Sequence, residues 1–195
     1  MGRGAETRAT ILDEALELTS QLGLEGLSIG VLAKRTGMSK SGLYAHFESK
    51  EGLQCDVLQE AADRWAELVL RPALKEPRGL PRVRAIFERW MAWDTEAFGG
   101  GCPFMAAATD FDDREGPVRD AVVRHVRDAL ATLSRAVQLA VDEGHLRADA
   151  SVEQVTFEIW GTLTGFQQYS RLLAHDGARD RAQRAFDALV DRYRA

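Results

Sequence analysis

The chain has 195 residues, 45% of them hydrophobic and 28% charged, and a formal net charge of −5. That apolar content suffices for a real core, arranged as one compact body plus a small N-terminal domain. No run of about 18 uncharged apolar residues is present to span a membrane, MGRGAETRAT lacks the apolar stretch of a signal peptide, and Cys55 and Cys102 are far apart without metal-ligand spacing. The expectation is a cytoplasmic protein with neither a disulfide framework nor a metal site.

Ile11, Ala15, Leu18 and Leu22 recur at i, i+4, i+7 and i+11, which predicts a first helix from about Thr7 to Leu22. Its stripe is expected to cover the back of the elements that follow, with Arg3 and Arg8 near its start as candidates for a phosphate or minor-groove contact. Ser28 is a good N-cap, and Ile29, Leu32 and Ala33 follow at the spacing of an inward-packing helix. Gly37 ends that helix, because glycine reaches the left-handed conformation needed just past a helix end. Only Met38 separates it from a second cap, Ser39. In the helix that Ser39 opens, Leu43 and Phe47 point one way, leaving Lys40, Ser41, Gly42 and Tyr44 on other faces. A helix-turn-helix places such a second helix in the DNA major groove, with its N-terminal residues at the base edges.

Lys40 and Lys50 each follow a cap, Ser39 and Ser49, and so sit in the first turn of a helix. A cation there opposes the helix dipole by roughly 0.3 to 1 kcal/mol at low salt. An anion between the lysine and the helix N-terminus reverses the sign, since ammonium and backbone N–H groups then converge on it, and DNA phosphate is the obvious candidate. The acidic net charge does not argue against this: from Ser28 to Lys50, Lys34, Arg35, Lys40 and Lys50 face the single acid Glu48. Phosphate binding depends on such local potential.

The run from Thr7 to Leu53, TRATILDEALELTSQLGLEGLSIGVLAKRTGMSKSGLYAHFESKEGL, closely resembles the N-terminal DNA-binding domain of TetR-family transcriptional regulators. The resemblance is carried by Thr7-Arg8, Gly23 and Gly26 ahead of Ser28, Leu32-Ala33, Gly37-Met38-Ser39, Leu43-Tyr44, His46-Phe47 and Ser49-Lys50-Glu51. It covers about the first quarter of the chain. It implies an all-α homodimer that represses transcription until a small molecule binds its C-terminal domain.

Beyond it, Leu53, Val57, Ala61, Trp65 and Leu68 predict a fourth helix from Ser49 to about Leu70, leading out of the DNA-binding domain. Pro72, Pro77, Gly79 and Pro81 mark Arg71 to Pro81 as a linker. Helices are then expected over roughly Pro81 to Phe98, ended by Gly99-Gly100-Gly101; Pro103 to about Phe111; Gly116-Pro117 to Gly144; Ser151 to about His175, opened by a Ser151/Gln154 capping box; and a last one carrying Ala182, Ala185, Phe186, Leu189 and Tyr193. Asp110, Asp112, Asp113 and Glu115 miss calcium-loop spacing, because Arg114 occupies a ligand position, and are expected to favour the dipole of the helix that follows. His125, His145 and His175 have no partner at metal spacing.

The predicted architecture is therefore all-α with about nine helices, divided into a helix-turn-helix domain over 1–50 and a helical ligand-binding and dimerisation domain over 51–195. Ser39, Lys40, Ser41 and Gly42 are expected in the major groove, and Ser28, Thr36, Tyr44, His46 and Lys50 on phosphates. Phe87, Trp90, Met91, Phe104, Met105, Trp160, Phe166 and Tyr169 are a neighbourhood for an apolar effector, although at helical spacing such residues are also plain core. Following the family, the two C-terminal helices are expected to meet their twin, with Gly161 and Gly165 allowing close approach; a two-fold dimer then reads a palindromic double-stranded operator. No nucleophile with a nearby base and no phosphate-binding glycine loop occurs, so neither an enzyme nor a cofactor is expected. Two rival readings stay open: a helical ligand-binding or enzymatic protein with a vestigial motif, and a DNA binder without effector.

Overall fold

A computed structural model of the protein describes residues 3–195, apart from the side chains of Arg3 and Ala5. Nine helices account for nearly all of it: α1 (Arg3–Gly26), α2 (Ile29–Thr36), α3 (Lys40–Tyr44), α4, α5 (Leu80–Glu96), α6 (Pro103–Asp110), α7 (Pro117–Asp142), α8 and α9 (Ala178–Tyr193). Helix α4 runs as Lys50–Trp65, a π-helical turn Ala66–Leu70 and a last α turn Arg71–Ala73; α8 runs as Val152–Gln167 and a π-helical turn Gln168–Leu172. Among the described residues the only β pairing is an isolated bridge between Leu146 and Arg194. None of their helices is long and apolar enough to cross a membrane.

The chain forms two compact units. The first comprises residues 1–64 and 98–126, the second 65–97 and 127–195. In the first, Ile11, Ala15, Leu16, Leu32, Leu43, Phe47, Leu53 and Leu58 are buried together with Val118 and Ala121. Helix α1 is bent at Gly23, whose φ of 72° and ψ of 166° are non-helical. That break turns Leu22 out to 53% exposure, so the fourth member of the expected stripe is not core. The triple glycine lies along α1: Gly100 donates to Ser20 Oγ at 3.1 Å and Gly99 to Glu17 Oε1 at 3.3 Å. A Cβ on Gly100 would stand 1.7 Å from the Ser20 carbonyl oxygen, so only glycine permits this approach.

In the second unit, Trp65, Val69, Val83, Ile86, Phe87, Trp90, Trp93, Leu133, Val137, Ile159, Leu163, Phe186 and Val190 are buried. Phe87 stacks on Phe186 with centroids 4.3 Å apart, and Arg84 lies over Phe186 while pairing with Asp187 at 2.7 Å. The π turn carries α4 beyond Leu70 to Ala73. Pro72 follows the π turn and the helix ends one residue later at Ala73, so the expected linker shrinks to a loop ending at Gly79.

Helices α8 and α9 are joined near their far ends by Glu158. Its Oε1 accepts from Gln154 Nε2 at 3.0 Å and from the Tyr193 hydroxyl at 3.1 Å, and its Oε2 lies 2.9 Å from Arg192. The Gln154 hydrogen bond, with those of Tyr193 and Arg192, holds the Glu158 carboxyl below its ordinary range against a smaller opposing effect of burial. The expected cap is present, Ser151 Oγ accepting from Gln154 N at 3.2 Å.

Candidate nucleic-acid interface

Three serines shape the helix starts in this region through their own backbone. Ser28 Oγ accepts from Val31 N at 3.2 Å, Ser39 Oγ from Gly42 N at 3.1 Å and Ser49 Oγ from Gly52 N at 3.0 Å, each satisfying an amide that a helix start leaves without a partner. Between the first two, Gly37 takes a φ of 69°, left-handed, and closes α2. Leu32, Leu43 and Phe47 anchor the corner from behind at 0–2% exposure. What remains outside is polar. Lys40, Ser41 and Tyr44 are exposed, Tyr44 at 54%, and Ser41 Oγ lies 3.1 Å from Ser39 Oγ. Gly42 has a packing reason of its own, since a Cβ there would press on Ser39 Oγ at 3.2 Å.

The cations of this surface divide into two sets. Arg35 is held by Glu14 at 2.7 Å; that hydrogen bond and the Glu14 charge raise its pKa. Arg8 pairs with Asp56 at 2.6 Å and lies over the Phe47 ring, so it fastens α1 to α4 instead of reaching outward. The Arg3 side chain, named with it at the sequence level, lies outside the described residues. By contrast Lys34 and Lys40 make no ion pair among the described residues; the Lys40 stem runs beside Gly30. Lys50 is accompanied, its ammonium donating to the Glu25 carbonyl at 3.2 Å and lying 3.4 Å from Glu25 Oε2. A helix-end carbonyl and a carboxylate thus offset the dipole penalty that the sequence assigned to Lys50. For Lys40 no such partner is present among the described residues, and the penalty stands. Thr36 donates to the Leu32 carbonyl at 2.9 Å, and the His46 ring sits 6.3 Å from that of Phe47.

The nominated effector residues fall into both units. In the second, the Trp90 ring meets Trp160 edge-on at 5.6 Å and Trp65 edge-on at 4.9 Å. Trp65 was placed on a helix stripe by its spacing but not brought to this neighbourhood, because the contact joins α4 to α5 across 25 positions. Phe87 and Met91 are buried, and Phe87 is committed to Phe186. Phe166 and Tyr169 line a hollow of about 400 Å³ with Thr162, Gly165, Ala182 and Arg184. In the first unit, Met105 is buried and Phe104 lies 5.5 Å from the His125 ring. Among the described residues no cluster of three or more histidine, cysteine, aspartate or glutamate side chains is placed to hold a metal ion.

Two family descriptions match the chain: bacterial regulatory proteins, tetR family, over residues 11–54, and tetracyclin repressor-like, C-terminal domain, over residues 79–186. The HTH-type transcriptional regulator AcrR of Shigella flexneri is 38% identical over 72 residues, 37% of this chain and 34% of AcrR, so that match spans about a third of its relative. The HTH-type transcriptional repressor AcnR of Corynebacterium glutamicum is 29% identical over 161 residues, 82% of this chain and 79% of AcnR. Among solved structures, AibR in complex with isovaleryl coenzyme A and operator DNA superposes with a TM-score of 0.73 at 22% identity, covering 95% of this chain and 97% of that one.

Proposed function

The chain belongs to the TetR family of bacterial regulatory proteins, and from that premise we propose that it is a homodimeric transcriptional repressor, released from a palindromic operator by a small, largely apolar molecule. Residues 1–50 bind DNA; residues 51–195 bind the effector and the second protomer. Ser39, Lys40, Ser41 and Gly42 meet base edges at the mouth of the major groove, while Ser28, Thr36, Tyr44, His46 and Lys50 fix the frame on phosphates. The observation that carries this reading is Lys40. Its ammonium stands in the first turn of α3 with no anionic partner among the described residues, beside exposed Ser41 and Tyr44. DNA supplies the missing anion.

The dimer reading is supported by α8 and α9. Phe157 at 69% exposure and Leu172 at 76% stand on the same helix as Gly161 and Gly165, at which an added Cβ would meet nothing within 4 Å. An apolar face punctuated by glycines suits a second helix pair. Effector and DNA act through one equilibrium: a molecule that binds the DNA-incompetent dimer more tightly lowers operator affinity by that same ratio. The isovaleryl coenzyme A in the AibR complex gives one example of a ligand on this fold; the apolar residues of this chain favour a molecule with a hydrophobic part.

The test is anisotropy of labelled duplexes tiled upstream of the protein's own gene, against shuffled controls. The expected result is selective binding that weakens steeply with salt and is reversed by a small molecule. Equal binding to every duplex, or none, would contradict the proposal.

A further inference from the structure

A chain of charges in the first unit ends at Lys50. Glu25 takes the Lys50 ammonium on its backbone carbonyl and on Oε2, while its other carboxylate oxygen, Oε1, accepts from Arg114 Nη1 at 2.5 Å. Arg114 belongs to the loop between α6 and α7 and is the one cation among Asp112, Asp113 and Glu115; its guanidinium is steadied over the Phe111 ring at 4.8 Å. The three side chains are 42–49% exposed, so neither pair does much for folding. Binding is another matter. A carboxylate beside the ammonium that is to meet a phosphate repels that phosphate unless another cation neutralises it.

We propose that Arg114 is a positioning residue for DNA binding: as Lys50 leaves Glu25 for a phosphate, Arg114 keeps the Glu25 carboxylate neutralised. This rests on the reading of Lys50 as a phosphate contact. It makes the α6–α7 loop, outside the helix-turn-helix altogether, part of what sets DNA affinity. It also gives Glu25 a defined role, that of a built-in competitor for Lys50.

A double-mutant cycle tests it, with full-length protein and two duplexes of different sequence titrated over a range of salt, and thermal melts to confirm folding. Arg114→Ala is expected to weaken binding to both duplexes alike, by about threefold to tenfold at low salt and less as salt rises. Arg114→Lys is expected to restore most of that loss. In a Glu25→Gln background, where no carboxylate needs neutralising, Arg114→Ala is expected to change affinity by less than about twofold. An equal loss in both backgrounds would overturn the proposal, since Arg114 would then touch DNA itself or act through the fold, and so would no loss in either. If the parent binds both duplexes while Lys50→Ala leaves affinity unchanged, this inference falls and the proposed function stands; a parent that binds no duplex overturns both.

Discussion

The α2–α3 corner and the α8–α9 hairpin are both surface features, yet they present opposite chemistry. At the corner Leu32, Leu43 and Phe47 are turned in to 0–2% exposure, while hydroxyls, an aromatic hydroxyl and the ammonium groups of Lys34 and Lys40, which make no ion pair among the described residues, face out. On the hairpin Phe157, Leu172 and Leu173 face out, while Gln154, Tyr193 and Arg192 converge on Glu158 and join the two helices. Water can be replaced on the first surface only by something that returns hydrogen bonds and negative charge, and on the second only by something apolar and close-fitting. On the proposed function, one fold thus carries two recognition surfaces that differ in what they cannot accept.

Glycines sharpen the contrast, and the largest expected effect is at one of them. Gly100→Ala puts a methyl within 1.7 Å of the Ser20 carbonyl oxygen, so backbone must shift; a loss of about 3 kcal/mol or more in denaturant unfolding is expected. Unaltered stability would mean that the triple glycine does not lie on α1. Next come Lys40 of the corner and Lys50 at the start of α4. Lys40→Ala is expected to cost about 1–3 kcal/mol in DNA binding and to relax the preference at one base position, whereas Lys50→Ala lowers affinity about equally on all sequences and reduces the salt slope by about one. Operator titrations decide both, and parent-like binding by both mutants would show that α3 is wrongly assigned to the groove.

Gly161 is the counterpart of Gly100, because a side chain there meets open space within the protomer. Gly161→Leu is expected to leave the protomer folded but to weaken self-association at least tenfold in sedimentation equilibrium, about 1.4 kcal/mol. Gly161→Ala is expected to raise helix stability by about 0.5–1 kcal/mol in the same protomer. A Leu variant that associates like the parent would separate the hairpin from the dimer. The smallest effect is acidic. Glu158 has a lowered folded-state pKa, so its contribution is full above the unfolded value near 4.5 and disappears as pH falls through the folded one. The melting temperature is expected to fall less over that acid range in Glu158→Gln than in the parent, and parallel curves would remove Glu158 from the account of the hairpin.

How far the sequence went can be judged residue by residue. Ser28, Ser39, Gly37 and Ser151 were legible because capping is local chemistry, written within three residues of where it acts. The helix over Pro117–Asp142 follows from its apolar period alone. The bend at Gly23 was less so: periodicity ends the stripe at Leu22, and nothing local says that the chain turns and stays helical to Gly26. The π turn Ala66–Leu70, after which α4 continues to Ala73, was likewise not legible, because its residues read like any others in a helix. At the site, the spacing of Lys40 and Lys50 put both in first turns, but the partners that distinguish them were invisible. Glu25 lies 25 positions before Lys50 and Arg114 a further 64 beyond it, and no pattern in one chain links charges at such separations. The acidic cluster shows the same limit: its composition points to the dipole of the helix that follows, and nothing in it points to the long-range contact of Arg114, the cation in its midst.

The central claim is that the N-terminal end of α3 enters the major groove as one of a two-fold pair. Hydroxyl-radical footprinting of the selected duplex, with parent and Lys40→Ala proteins side by side, tests it most directly. The account predicts two protected patches related by a two-fold axis and about one helical turn or a whole multiple apart, roughly 34 Å per turn, both fading in Lys40→Ala. A single patch, or protection spread evenly along the duplex and unchanged in the mutant, would contradict it.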